Sequence, residues 1–443
     1  MFENIIAQSA AERLMGDIGA GILAPSMLFY GPAASGKGTT ALELGRVLSC
    51  EGKGAWNCPC PGCARHKMLL HPDLLMMGRR PFAAEIAASA AVLRREPRHG
   101  RILLLRAVRK LLGRFSPALW EGDKDLAKLN PLIQALEDDL EGLEGMPEEG
   151  PGEKLGASII KSALKLEAEG IAEFIPISQI RRAGYWGHLA PAGLRKLLVI
   201  ESADRMREEA LNSLLKILEE PPERLTIVLC TSRREGILPT LLSRLRPYHF
   251  MRRDAPAEGE LIRRVFRDKP AAPAETPSSA LPASGLEGYL DSFLPVSRDT
   301  LYPLAAFFVS SVALSTLEGF RRRGIGILPE ELASLGKHCA PIADSAGLGR
   351  PAADNKAIIE KVLAGAQNFQ ARSLLSTFLA LVLVLVSECL RPLAMGSLRI
   401  ACLGIWKKHV DAAAAAGSLN QSPALTLDRL VSGLKRDLVE AGA

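Results

Sequence analysis

A parallel α/β sheet domain followed by an all-helical domain is the architecture this sequence predicts, on three observations. A glycine-bearing turn, GPAASGKGTT (Gly31–Thr40), sits between an apolar run and an amphipathic one. Two further apolar runs, RKLLVIESADRM and LTIVLCTS, alternate with helical patterning. Past a break rich in proline, alanine and serine, the chain reads as leucine- and alanine-rich helix to its end.

The first element, SMLFYGPAASGKGTTALELGRVLSC, reads as strand, turn and helix, with Ala41, Leu42, Leu44, Val47 and Leu48 on the helix's inner side. Its turn has the phosphate-cradling spacing GxxxxGK[ST], except that Gly38 stands where a hydroxyl is expected. In such a loop, backbone N–H groups and the helix N-terminus hold phosphates, the lysine neutralises charge, and the hydroxyl binds Mg²⁺. Gly31, Gly36 and Lys37 suit the first two tasks, with Ser35 beside them. Gly38 cannot perform the third, and Thr39 lies one residue on, rotated by roughly 100°. ATP and Mg²⁺ binding is therefore expected to be weak or absent.

The cysteines come next. Four of the eight, Cys50, Cys58, Cys60 and Cys63, lie close together, and four thiolates complete a tetrahedral Zn²⁺ site with no position left for substrate. The zinc expected here is structural, in a module over about residues 50–66. The CxC spacing of Cys58 and Cys60 is one residue tighter than the usual CxxC and predicts strain at one of them. Cys230, Cys339, Cys389 and Cys402 sit in apolar or helical surroundings and read as small buried hydrophobes.

From about residue 78 to 172 the chain reads as a mostly helical insertion. Its first half is basic (Arg94, Arg95, Arg98, Arg101, Arg106, Arg109, Lys110, Arg114) and its second acidic (Glu137, Asp138, Asp139, Glu141, Glu144, Glu148, Glu149). The basic half either follows a DNA backbone or forms a solvated face paired with the acidic half. The strand RKLLVIESADRM suits burial on both faces, and it ends in Glu201 and Ser202 where a Mg²⁺-binding acidic pair belongs. The helix REEALNSLLKILEEPPE, closed by Pro221 and Pro222, leads into the strand LTIVLCTS.

The sheet domain is expected over residues 1–255. A reduced segment and the linker DKPAAPAETPSSALPASG cover residues 256–285, and the helical domain covers 286–443. A net charge of +6 leans mildly toward acidic partners. The N-terminus carries an acidic residue where an export signal needs positive charge, so a cytoplasmic location is expected. The apolar stretches beginning at Leu301 and Leu374 are expected as buried bundle helices, with no membrane partner.

These residues resemble the bacterial DNA polymerase III clamp-loader subunits of the AAA+ class. The resemblance is carried by MLFYGPAASGKGTTA (27–41), HPDL (71–74), ISQIRR (177–182) and, most specifically, ALNSLLKILEEPPERLTIVLCTSRREGILPTLLSRL (210–245). It covers residues 1–77 and 173–255 well, and the C-terminal region by character and position. It implies an AAA+ domain, a zinc module, and a helical collar in a hetero-oligomeric ring that loads a sliding clamp onto primer-template DNA. In that family an SRC motif supplies an arginine to the neighbouring subunit's ATP; here Ser243, Arg244 and Leu245 keep the arginine and lack the cysteine. The resemblance also places Thr231 and Ser232 at the sensor position. The loop hydroxyl, acidic pair and lid arginine are missing together while Arg244 remains. That pattern resembles the delta-prime type more than gamma or tau, and implies weak or absent intrinsic ATPase. Two rival readings stay open: an active gamma/tau-like ATPase using Thr39 and Glu201, and a DNA-binding adaptor acting through the basic insertion.

Overall fold

The computed structural model describes residues 1–147, 152–172, 174–269, 285–294, 296–322, 329–367, 372–394, 396–418 and 421–441. They form two compact units, one of residues 1–269 with 285–293 and one beginning at Leu294. The boundary falls at Leu294 rather than 286 because Leu286 and Tyr289 of the Gly285–Asp291 helix pack with Ile262 and Phe266 of the Ala255–Phe266 helix. Most of the proline-rich linker lies outside the described residues.

The first unit holds a sheet of five parallel strands, β1 (Ser26–Tyr30), β2 (Leu74–Gly78), β3 (Lys196–Glu201), β4 (Leu225–Thr231) and β5 (Arg246–His249), in the order β2-β3-β4-β1-β5. The three apolar runs read from the sequence are β1, β3 and β4. These are the inner strands, buried on both faces, which is why they read as uninterrupted hydrophobic runs. The edge strand β5 is mostly exposed and tolerates Pro247 because its outer N–H groups have no ladder to join.

Alternate residues of the strands feed two apolar layers. Leu28, Leu75, Leu198, Ile200, Ile227 and Leu229 pack with the Ile177–His188 and Glu208–Glu219 helices. Met27, Phe29, Leu197, Val199 and Val228 pack with the Ser9–Gly19 and Lys37–Leu48 helices. The registers Gly78↔Glu201, Glu201↔Cys230 and Tyr30↔Thr231 bring the carboxyl ends of four strands level. Asp73 fixes the opposite end of that register by accepting the N–H groups of Ala192 (2.9 Å) and Gly193 (2.7 Å).

The insertion folds as helices Ala83–Arg95, Pro97–Leu112, Lys124–Gly145 and Glu153–Gly170 around its own core, which includes Ile86, Leu104, Val108, Leu136, Leu140, Ile159 and Leu166. Gly100 lets the first two helices close tightly, since a Cβ there would strike the backbone of Leu93. Much of the basic half is engaged by neighbouring residues of the first unit, although Arg94, Arg95 and Arg98 remain exposed. Arg94 pairs with Glu153, Arg95 with Asp268, Arg109 with Glu144 and Lys110 with Glu85. Arg101 and Arg106 donate to the carbonyls of Pro147 and Lys67, and Arg114 pairs with Glu201. Glu148 and Glu149 of the acidic half lie outside the described residues.

Glu167 caps the Ala83–Arg95 helix, accepting the N–H groups of Phe82 (3.1 Å) and Ala83 (2.9 Å). Burial nevertheless outweighs these bonds and nearby Arg80, raising its pKa from 4.5 to about 7. A carboxyl whose pKa is raised by folding stabilises the protein fully below its unfolded value and loses that contribution as pH rises through the folded one. Stability is thus expected to fall between pH 4.5 and 7 by roughly 2 kcal/mol on this group's account, after allowance for its partial exposure. Urea unfolding of the native chain and of Glu167→Gln across that range checks this, since the variant should lose that share of the slope.

Among the described residues the second unit is all helical. Its helices are Arg298–Arg322, Glu330–Ser345, Asn355–Gly365, Arg372–Leu390, Ser397–Ser418 and Pro423–Ala441, around a core that includes Phe308, Phe320, Phe378, Val382, Trp406, Leu430 and Leu434. Among the described residues one helix, Arg298–Arg322, is long and apolar enough to cross a membrane, and 78% of its apolar window is buried inside the structure. Both apolar stretches lie in bundle helices of this unit.

Candidate functional site

The phosphate-type loop leaves the end of β1 and enters the Lys37–Leu48 helix among the carboxyl ends of the strands, where open α/β sheets bind ligands. Gly31 (φ 145°) and Gly36 (φ 94°) both occupy backbone conformations that favour glycine. A Cβ on Gly31 would strike the carbonyl of Phe250, and one on Gly36 would lie 2.5 Å from Nη2 of Arg253. Arg253 is buried and clamps the loop from outside, donating to the carbonyls of Ala34 (2.7 Å) and Ile6 (2.9 Å).

Lys37 is turned onto its own loop. Its ammonium donates to the carbonyls of Gly31 (2.7 Å) and Pro32 (2.5 Å) and lies 3.2 Å from Oγ of Ser35. An ammonium has three donors, so these acceptors use all of them. Burial also lowers the Lys37 pKa, partly offset by Cys230 and Glu201. Thr39 is exposed, whereas the next hydroxyl, Thr40, is buried without a hydrogen-bond partner.

Glu201, at the tip of β3, is bound to arginine. Its Oε2 accepts from Nη2 of Arg114, and its Oε1 lies 3.7 Å from Nη1 of Arg80. That same oxygen is 2.5 Å from where a Cβ on Gly38 would sit, so the carboxylate fills the space beside the missing hydroxyl. These residues do not fit a bound Mg²⁺: position 38 offers no oxygen, and the carboxylate is already neutralised. Thr231, at the end of β4, is also committed, donating to Oδ1 of Asp204 (2.6 Å), whose other oxygen pairs with Arg233 (2.8 Å).

The cysteines do converge. The Sγ atoms of Cys50, Cys58, Cys60 and Cys63 lie within 4.8 Å of one another. Cys60 caps the Pro61–Lys67 helix and Cys63 sits in its first turn, which lets the tight CxC spacing close. Backbone N–H groups of Gly52 and Gly54 each approach Sγ of Cys50 at 3.3 Å, that of Cys63 approaches Cys60 at 3.4 Å, and Arg46 Nη1 approaches Cys63 at 3.1 Å. Such donors stabilise thiolates. Although burial opposes it, the N–H groups of Cys63 and Glu51 hold Cys60 at about 7, whereas burial and the neighbouring Cys50 push Cys63 up to about 12. The donor set fits a structural Zn²⁺, and binding would release the remaining thiol protons. About one zinc per chain is expected by mass spectrometry of the purified protein, and less than about 0.3 would count against the site.

Arg244 follows the short Pro239–Leu242 helix. It is partly exposed and pairs with Glu219 at 2.8 Å, while Nη1 donates to the carbonyl of Thr240. The sequence places Arg114 in a basic half that either follows a DNA backbone or forms a solvated face, and gives no signal for Arg80, Arg253, Arg46 or Asp204, whose partners are set by folding.

Residues 154–254 match the family model described as DNA polymerase III, delta subunit. That stretch runs from the last insertion helix through β3, β4, Arg244 and β5, and leaves the phosphate-type loop and the four clustered cysteines outside it. The DNA polymerase III subunit delta′ of Pseudomonas aeruginosa is 33% identical over 111 residues, spanning 25% of this chain and 34% of that protein. Over this part of its length the chain is similar to DNA polymerase III delta-prime and gamma/tau subunits. The gamma/tau subunits of Mycobacterium bovis and Mycobacterium tuberculosis are each 38% identical over 55 residues, 12% of this chain and 10% of theirs. The aligned region thus spans about a third of the delta-prime relative and a tenth of the gamma/tau ones. A solved gamma subunit-related protein from Thermotoga maritima aligns with 65% of this chain and 91% of its own, at 17% identity and a TM-score of 0.29.

Proposed function

We propose that this chain is a delta-prime-like clamp-loader subunit: an AAA+ domain over residues 1–255 with a zinc module, a reduced lid and linker segment after it, and a helical collar beginning at Leu294. It works in the cytoplasm within a ring of related subunits, assisting ATP-driven loading of a sliding clamp onto primer-template DNA. It is not itself a motor. Arg244 reaches the ATP of an adjacent subunit, and this chain's own Gly31–Thr39 loop, Glu201 and Thr231 serve the fold.

The observation that carries this reading is the contrast between the two ends of the chemistry. Lys37 and Glu201 are both consumed by internal partners, whereas Arg244 sits at the surface inside the stretch that matches the family. The gamma/tau-like ATPase reading needs those two side chains free. The DNA-adaptor reading needs the insertion's basic residues outward, yet seven of the eight have named partners within the first unit.

The test is ATP turnover with Mg²⁺ by the purified chain, beside Lys37→Ala, and then with a gamma/tau-type subunit of the same organism. The expected result is no turnover by the chain alone, a stable complex by gel filtration, and turnover in the mixture above that of the partner alone. Turnover by the isolated chain that Lys37→Ala abolishes overturns the proposal.

A further inference from the structure

The insertion and the phosphate-type loop meet at one buried charge pair. Arg114 lies in the Gly113–Phe115 turn that ends the Pro97–Leu112 helix, and it is 4% exposed. Its guanidinium lies 5.3 Å from the centre of the Phe82 ring, and its Nε and Nη1 atoms are buried without a hydrogen-bond partner. Only Nη2 is matched, by Glu201. Among the described residues Glu201 is thus the carboxylate that compensates Arg114.

The arrangement extends outward. Arg80, also over Phe82 at 5.2 Å, lies between Glu201 and Glu85, and Glu85 pairs in turn with Lys110. Burial would raise the Glu85 pKa, but Lys110 and Arg80 outweigh it and hold it at about 2. The row therefore reads Lys110, Glu85, Arg80, Glu201, Arg114: three cations to two carboxylates, with Lys37 in the adjoining loop. A divalent ion placed beside Glu201 would meet an excess of positive charge at close range and in low dielectric.

We propose that the insertion supplies a built-in cation in place of the divalent metal: Arg114, supported by Arg80, takes the carboxylate of Glu201 and closes this loop to Mg²⁺. Glycine at 38 belongs to the same arrangement, because a side chain there would crowd the Oε1 that Arg80 faces. The departures at Gly38 and Glu201 and the presence of a helical insertion are then one structural feature. The insertion reaches back through Arg114 to satisfy the tip of β3. This rests on residues of the first unit alone and is independent of any role in a ring.

Two measurements on the full-length chain test it. Mn²⁺ is titrated, followed by electron paramagnetic resonance, against the native chain and Glu201→Gln; the two are expected to give the same curve. A Mn²⁺ site present in the native chain and lost in Glu201→Gln overturns the proposal. Thermal midpoints are compared for Glu201→Gln, Arg114→Met and the double variant. The singles are expected to melt lower, Glu201→Gln leaving the buried Arg114 without a carboxylate and Arg114→Met leaving Glu201 with Arg80 alone, and the double variant to recover most of the loss. Losses that simply add would show that the two residues do not act as a pair and would also overturn it.

Discussion

On the proposed role, replacing Arg244 by alanine is expected to leave the chain folded and to lower ATP turnover at the adjacent subunit's site about 10³-fold or more. The folding half of this expectation follows from exposure. The Arg244–Glu219 pair is at the surface, with side chains 37% and 50% exposed, and such pairs contribute about 0–1 kcal/mol. The catalytic half follows from chemistry. A planar, permanently charged guanidinium meets two phosphate oxygens at once as the transferring group gains charge, and an ammonium does not, so Arg244→Lys should recover little. The comparison is steady-state turnover of rings reconstituted with native, Arg244→Ala and Arg244→Lys chains, with assembly confirmed by gel filtration. Unchanged turnover in a properly assembled Arg244→Ala ring would remove Arg244 from the mechanism.

Arg46→Ala is expected to cost about 3–5 kcal/mol of stability and to release zinc from the cysteine site. Arg46 is 1% exposed and forks onto Glu43 at 2.6 and 2.9 Å. Its remaining donors reach the carbonyls of Gly54 (2.7 Å) and Ala55 (3.0 Å) and Sγ of Cys63 (3.1 Å). Truncation strips the counter-ion from a buried Glu43 and unpins the loop that carries the second and third thiols. Glu43→Leu with Arg46→Met should restore much of the stability, since a well-packed apolar pair avoids the buried charge. Urea unfolding with zinc content measured alongside decides it, and a loss below about 1 kcal/mol would mean the pair is better solvated than its geometry implies.

Much of the first unit was legible because its inner strands are apolar on both faces. β1, β3 and β4 needed only their runs of Met, Leu, Ile and Val to be recognised. β2 was missed because LLMMG is short and lacks β-branched residues, and β5 because RPYH is an edge whose outward positions are polar. The loop and the four cysteines were legible as local spacings. The fate of the loop's chemistry was not, because it is decided by partners distant in sequence. Arg114 and Glu201 are separated by most of the insertion and β3, and Arg253 reaches Ala34 from beyond β5. No local pattern distinguishes an arginine that ends on a buried carboxylate from one on a solvated face.

The strand order also governs how the chain folds as it is synthesised. β1 is made before the other strands yet lies between β4 and β5, so one of its edges stays unpaired until Thr231 and the other until His249 has left the ribosome. Loops closed over such separations form late, and exposed strand edges invite aggregation meanwhile. The insertion's helices have their own core and can form in that interval. The nascent chain therefore carries an open β1 edge until most of the first unit exists.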